Sequence, residues 1–129
     1  MLILDPLDVS FGARSWRDVR SLAVSVEAAR VAESWSDLGP WCVFADVPER
    51  RVRVQIVRSF EGSELAAPAV GDEALLTFTV SEGGSESARQ VVARCVVTAV
   101  RHEIAQGKAV QRLDLLALSE TGGATPIEM

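Results

Sequence analysis

His102 is the only histidine in the chain. It stands in "TAVRHEIAQGKAVQRLDLLALS", residues 98–119, with charges on either side. An imidazole acts as a general base when a positioned partner orients it, and as a metal ligand when two or three further donors converge. The available company is Cys42 and Cys95, the only two cysteines. Cys95 and His102 lie seven positions apart on what reads as one strand. That odd separation sends their side chains to opposite faces. Cys42 has to be delivered by folding, and no fourth soft ligand exists. Arg101 and Glu103 flank His102 and read as cross-strand ion-pair partners near the open end of a hairpin. His102 therefore reads as a rung between two strands.

The remaining chemical candidates are sparser. Neither a G-x-S-x-G elbow nor a cysteine beside a plausible histidine occurs. "VGDEALLT" has one glycine and no lysine, so it is no P-loop. "EGGSES" and "TGGATP" lack the spacing of a dinucleotide site. Asp72-Glu73 reads as a solvated turn. Cys42 and Cys95 lie in apolar stretches ("PWCVFADV", "VARCVVTAV") and read as two buried free thiols. Trp16, Trp35 and Trp41 read as anchors of a core or an interface. "PERRVRV" at 48–54 is the one basic cluster, with Arg51 and Arg53 on one strand face. Their expected partners are acidic side chains of the chain itself or of a neighbouring subunit. No catalytic residue, cofactor site or metal site is expected, and an enzyme is the least favoured class.

The elements that must position these residues are mostly strands. Residues 51–60 alternate, with Val52, Val54, Ile56 and Phe60 on one face and Arg58 as an interruption. The opposite face carries Arg51, Arg53, Gln55, Val57 and Ser59. In "EALLTFTV", Ala74, Leu76, Phe78 and Val80 share a side. "VVARCVVTAVRHEIA" places Val92, Val96, Thr98, Val100, His102 and Ile104 on one face. "AQGK" at 105–108 turns the chain into "AVQRLDLLALS", a hairpin with two long arms. Residues 60–73 read as a polar connection and 81–89 as a flexible tip.

Residues 21–36 are ambiguous. Val24, Ala28, Val31 and Trp35 fall at helical spacing, which predicts a helix of about three turns before the stop at "DLGP". The alternation in "LAVSV" fits a long strand that turns at Gly39-Pro40 into "WCVFADV" nearly as well.

Length and charge bound the rest. A chain of 129 residues suits one domain with a real core. The expected division is an arm or irregular strand at 1–20, a β core at 21–119 and a mobile tail at 120–129. The fold class is mainly β, an antiparallel sandwich or barrel. A net charge of −5 runs against a static nucleic-acid binder, which carries basic excess. The start "MLILDPLDV" is broken by Asp5 and Pro6, and no apolar run reaches the ~18 residues of a membrane span. No membrane partner is expected.

Taken together, "WSDLGPWCVFADVPERRVRVQIVR", "PAVGDEALLTFTV" and the hairpin "VVTAVRHEIAQGKAVQRLDLLALS" with its Gly-rich tail resemble the tail-tube proteins of contractile-tailed bacteriophages and related injection machines. The resemblance covers most of residues 20–120 as a pattern of strand lengths and loops. It implies a β-sandwich or barrel with one short helix, at 21–36 or within 61–70. It further implies a homo-oligomer: hexameric rings stacked into a tube inside a virion tail, assembled in the host cytoplasm. Sheath, baseplate and tape-measure proteins would be its partners, and DNA would pass through without specific binding. The acidic balance then keeps phosphates from sticking to the lumen. The inter-subunit candidates are Val96, Val100, Ile104, Leu113 and Leu115 in the last hairpin, with Arg51 and Arg53. Competing readings are another tail or head–tail component, such as a terminator, connector or capsid-stabilising β protein, and a small bacterial β-barrel binding module.

Overall fold

The computed structural model describes residues 2–4, 6–16, 18–59, 68–81, 88–105, 107–123 and 125–127. Eight strands run in chain order: β1 (Leu2–Leu4), β2 (Pro6–Phe11), β3 (Arg14–Trp16), β4 (Val19–Trp35), β5 (Cys42–Ser59), β6 (Glu73–Ser81), β7 (Ala88–Ala105) and β8 (Lys108–Ala117). They form one antiparallel sheet in the order β1-β4-β5-β8-β7-β6-β2-β3. No helix occurs among the described residues. The short helix expected at 21–36 is corrected to a strand; of its alternative place within 61–70, residues 61–67 lie outside the described residues and 68–70 are not helical.

The reason is the partner that β5 offers. Leu22, Val24 and Val26 sit opposite Ile56, Val54 and Val52 in register. A strand therefore sets this alternating apolar run opposite a matching one, with Leu22 buried, Val24 half-buried and Val26 still 71% exposed. The helix would leave β5 without that neighbour. Helical propensity loses to cross-strand pairing.

The sheet is rolled. Residues 2–4 pair with β4 at one end of the strand order, and residues 6–11 pair with β6 at the other. Leu4 and Pro6 are two positions apart, so the two ends lie within about 7 Å. The apolar faces thus enclose one core: Val9, Phe11, Trp16, Leu22, Val52, Val54, Ile56, Leu76, Phe78, Val91, Ala93, Cys95, Val97, Leu113, Leu115 and Ala117. Of the arm or irregular strand expected at 1–20, the described residues form the short strands β1, β2 and β3, with Val9, Phe11 and Trp16 buried. Gly12 turns β2 into β3 at φ +61°, and a Cβ there would lie 3.1 Å from the Ala74 Cβ. Only glycine fits that turn comfortably.

Two further expectations change. β7 carries an irregularity between Val97 and Ala99. Up to Val97 the odd positions face the core, and beyond it Val100 and His102 do. A period-two reading through a bulge flips every side chain after it. At the C-terminus, Leu118 N donates to Arg94 O at 2.8 Å and Ile127 packs against the core. The described part of 120–129 is therefore folded back rather than free. Phe60, residues 61–67 of the expected connection and 82–87 of the expected tip lie outside the described residues.

Candidate functional site

The core of β5 ends in a charge. Val52, Val54, Ile56 and Arg58 share one face, and Arg58 is 2% exposed. The alternation that seemed interrupted continues through it. Its guanidinium lies 4.9 Å from the centroid of the Trp16 ring. Trp16 in turn stacks on Phe11, with ring centroids 6.0 Å apart. Arg58 Nε donates to Gln111 Oε1 at 2.7 Å, and Nη1 is 3.8 Å from Asp18 Oδ1. A planar, weakly hydrated cation over an indole face is the form in which a buried positive charge is best tolerated.

His102 joins the same network. It sits opposite Gln111 in the β7–β8 ladder, and their Nε2 atoms are 3.0 Å apart. Because the Gln111 oxygen accepts from Arg58, its amide nitrogen donates to His102. The imidazole Nε2 is then the acceptor and the ring hydrogen sits on Nδ1. His102 is a rung, as expected, but one that closes a chain from Asp18 through Arg58 and Gln111. The bulge also overturns the expected separation of Cys95 and His102: both now face the same side of the sheet. Among the described residues, no group of three or more His, Cys, Asp and Glu side chains is placed to hold a metal.

The two thiols differ. Cys95 is fully buried, and burial pushes its pKa up to about 12. Cys42, expected to be buried, is exposed near the end of the β4–β5 hairpin. Its thiol points at the carbonyl oxygens of Ser34 and Phe44, 3.3 and 2.8 Å away.

The assembly candidates scatter over three environments. Leu113 and Leu115 are core residues, 1% and 0% exposed. A charge at Leu115 therefore breaks the fold before it can report on assembly. Val100 is half-buried against the core, Val96 is half-buried on the opposite face, and Ile104 is 80% exposed beyond the core's end. Arg51 and Arg53 both meet Glu27 across the β4–β5 ladder, at 2.7 and 3.3 Å. Their partner is thus intramolecular. Glu103 pairs with Arg112 and Arg94 with Glu73 across strands.

One exposed apolar feature was only half legible. Beyond Val26 and Val52, β4 and β5 leave the body as a two-stranded ribbon. From Arg30 to Trp35 and from Cys42 to Asp46 every residue is exposed. Trp35, Leu38, Trp41, Val43 and Phe44 are 55%, 96%, 83%, 64% and 58% exposed. Ten positions thus carry five large apolar side chains in water. An isolated two-stranded ribbon is marginal at best, and contiguous exposed apolar surface marks an interaction site. The sequence signal was the density of apolar residues around "DLGP", which the helical reading of 21–36 obscured.

No protein-family model matches this chain, and no curated protein matches it in sequence.

Proposed function

We propose that the chain is a structural subunit that assembles with copies of itself, as a ring-and-tube component of the phage-tail kind. The observation that carries this reading is the β4–β5 ribbon with its uncovered Trp35, Leu38, Trp41, Val43 and Phe44. Such a ribbon becomes stable when a neighbour covers it. The long antiparallel strands and rolled sheet are compatible with the tail-tube resemblance of residues 20–120. On this reading the assembly belongs to a virion tail, its partners are sheath, baseplate and tape-measure proteins, and the net charge of −5 lets DNA slide past without adhering.

Light scattering across a concentration series tests the reading. The expected result is a mass that is a multiple of 13.9 kDa and rises with concentration, with no other protein or ligand added. A chain that stays at 13.9 kDa throughout would contradict it. The ribbon would then belong to a binding module with a foreign partner.

A further inference from the structure

The ribbon could be covered by backbone pairing, by a membrane or by side-chain docking on a protein, and its own residues decide among these. Its strand edges are blunted: β4 has irregularities at Ala28–Arg30 and Arg30–Ala32, and β5 carries Pro48, which lacks an N–H. Bulges and proline are how edges avoid adding a strand. A membrane is disfavoured by charge. Arg30 and Arg50 stand against Glu33, Asp37, Asp46 and Glu49, a net of −2 over residues 29–50. Asp37 is adjacent to Leu38 at the turn. Interfacial anchors carry basic residues instead. What remains is side-chain docking on a protein surface of opposite charge.

The chain itself presents such a surface at its other end. The β7–β8 hairpin closes at Ala105–Lys108, beyond the Ser59↔Val110 pair. The ribbon turn lies beyond Cys42, at the opposite end of β5. Over residues 101–112 the charges are Arg101, Lys108 and Arg112 against Glu103, a net of +2. Ile104 stands there 80% exposed. Along β5 the two ends are separated by about 17 residues, on the order of 55 Å of strand. A molecule cannot cover its own tip. We propose that the apolar, acidic tip of the β4–β5 ribbon docks on the basic β7–β8 end of a second copy, with Trp35, Leu38 and Trp41 packing around Ile104.

The size of the tip suits this role. Trp35, Trp41 and Phe44 are 55%, 83% and 58% exposed, and at ~150–250 Å² each they leave on the order of 300–500 Å² to cover. One side of a stable interface needs about 800 Å², and Leu38 and Val43 add to the total. Because the two surfaces differ, the contact is heterologous and every docked copy leaves a free tip and a free end. It therefore propagates head to tail. This contact rests on the self-assembly reading above and supplies its direction.

Charge reversal tests it on the intact chain. One variant, Arg101→Glu with Lys108→Glu, makes the basic end acidic. The other, Glu33→Lys with Asp46→Lys, makes the tip basic. All four side chains are exposed or half-exposed, and circular dichroism checks that both variants keep the β fold. Each variant alone is expected to self-associate at least tenfold more weakly than the unmodified chain. An equimolar mixture is expected to associate again, because every tip then meets an end of opposite sign. Raising the salt concentration weakens the mixture and the unmodified chain alike. Either variant associating alone as strongly as the unmodified chain overturns the proposal, and so does a mixture that stays monomeric. Rings built by both variants alone would keep the tube reading while removing this contact. A mixture that forms only irregular strings, with no ring or tube by electron microscopy, would keep the contact and remove the tube.

Discussion

Arg58 lies face-on to Trp16, 4.9 Å from the ring centroid, and both are buried at the same end of the rolled sheet. With Gln111, the pair ties the edge strand β3 to the neighbouring strands β5 and β8, which are distant from it in the strand order. Trp16 belongs to the edge strand β3, Arg58 to β5, and Gln111, the acceptor from Arg58 Nε, to β8. Closure of the roll thus rests partly on a charge whose burial is tolerated because its partners are fixed.

Removing a fixed partner should be costly. Gln111→Leu deletes the acceptor at 2.7 Å from Arg58 Nε and is expected to lower stability by about 2–4 kcal/mol. Adding Arg58→Met, which removes the charge as well, is expected to cost less than the two single changes summed. Urea unfolding of the four chains of the double-mutant cycle measures this. Additive losses would show that the pair is not coupled.

Cys95 gives the protein an alkaline weakness. Its folded pKa of about 12 stands above the ordinary 9.0, so the unfolded chain releases the proton first as pH rises. Stability is complete below pH 9 and falls between 9 and 12. At pH 11 the loss is on the order of 2–3 kcal/mol. The chain has no tyrosine to ionise in the same range. Unfolding curves at pH 8 to 11 should slope more steeply for the native sequence than for Cys95→Ala. Equal slopes would count against a buried thiol.

The same two environments predict thiol counting. A water-soluble disulfide reagent should modify Cys42 in the folded protein and Cys95 only after denaturation. Two thiols reacting at once under native conditions would contradict the core position of Cys95.

At Gly12 the backbone sits at φ +61° and the Ala74 Cβ is 3.1 Å from where a Cβ would be. Gly12→Ala is expected to cost about 1–2 kcal/mol. The sheet end at β2–β3 should loosen first, visible as faster amide exchange in β3 than elsewhere.

Core and tip separate stability from assembly. Leu115→Ala should lower stability by about 2–5 kcal/mol, since the side chain is fully buried. Ile104→Ser, at an 80% exposed position, should leave stability within about 0.5 kcal/mol and weaken association. Scattering and urea unfolding on the same samples distinguish the two effects.

Where each residue meets a matching strand, the pattern in the sequence was readable. Leu76 and Phe78 inward, Val52, Val54 and Ile56 inward, and the turn before Lys108 all follow from period-two alternation and turn chemistry. Three features were hidden for physical reasons. The bulge at Val97–Ala99 has no local signature, yet it reassigns His102 to the face of Cys95. Arg58 looked like an error in an apolar face, because only Trp16 and Gln111, brought from far along the chain, make its burial tolerable. Trp35 completes a helical stripe by spacing, and only pairing with β5 shows that the stripe does not exist. The ribbon followed from the strand alternative for 21–36, but its exposure depends on where the rest of the sheet stops.

Negative-stain electron microscopy of the intact chain alone, under reducing conditions, tests the central claim most directly. The account predicts rings or hollow tubes of uniform width, which disappear when Trp35 and Trp41 are both replaced by serine. A field of isolated particles of monomer size at every concentration would contradict it.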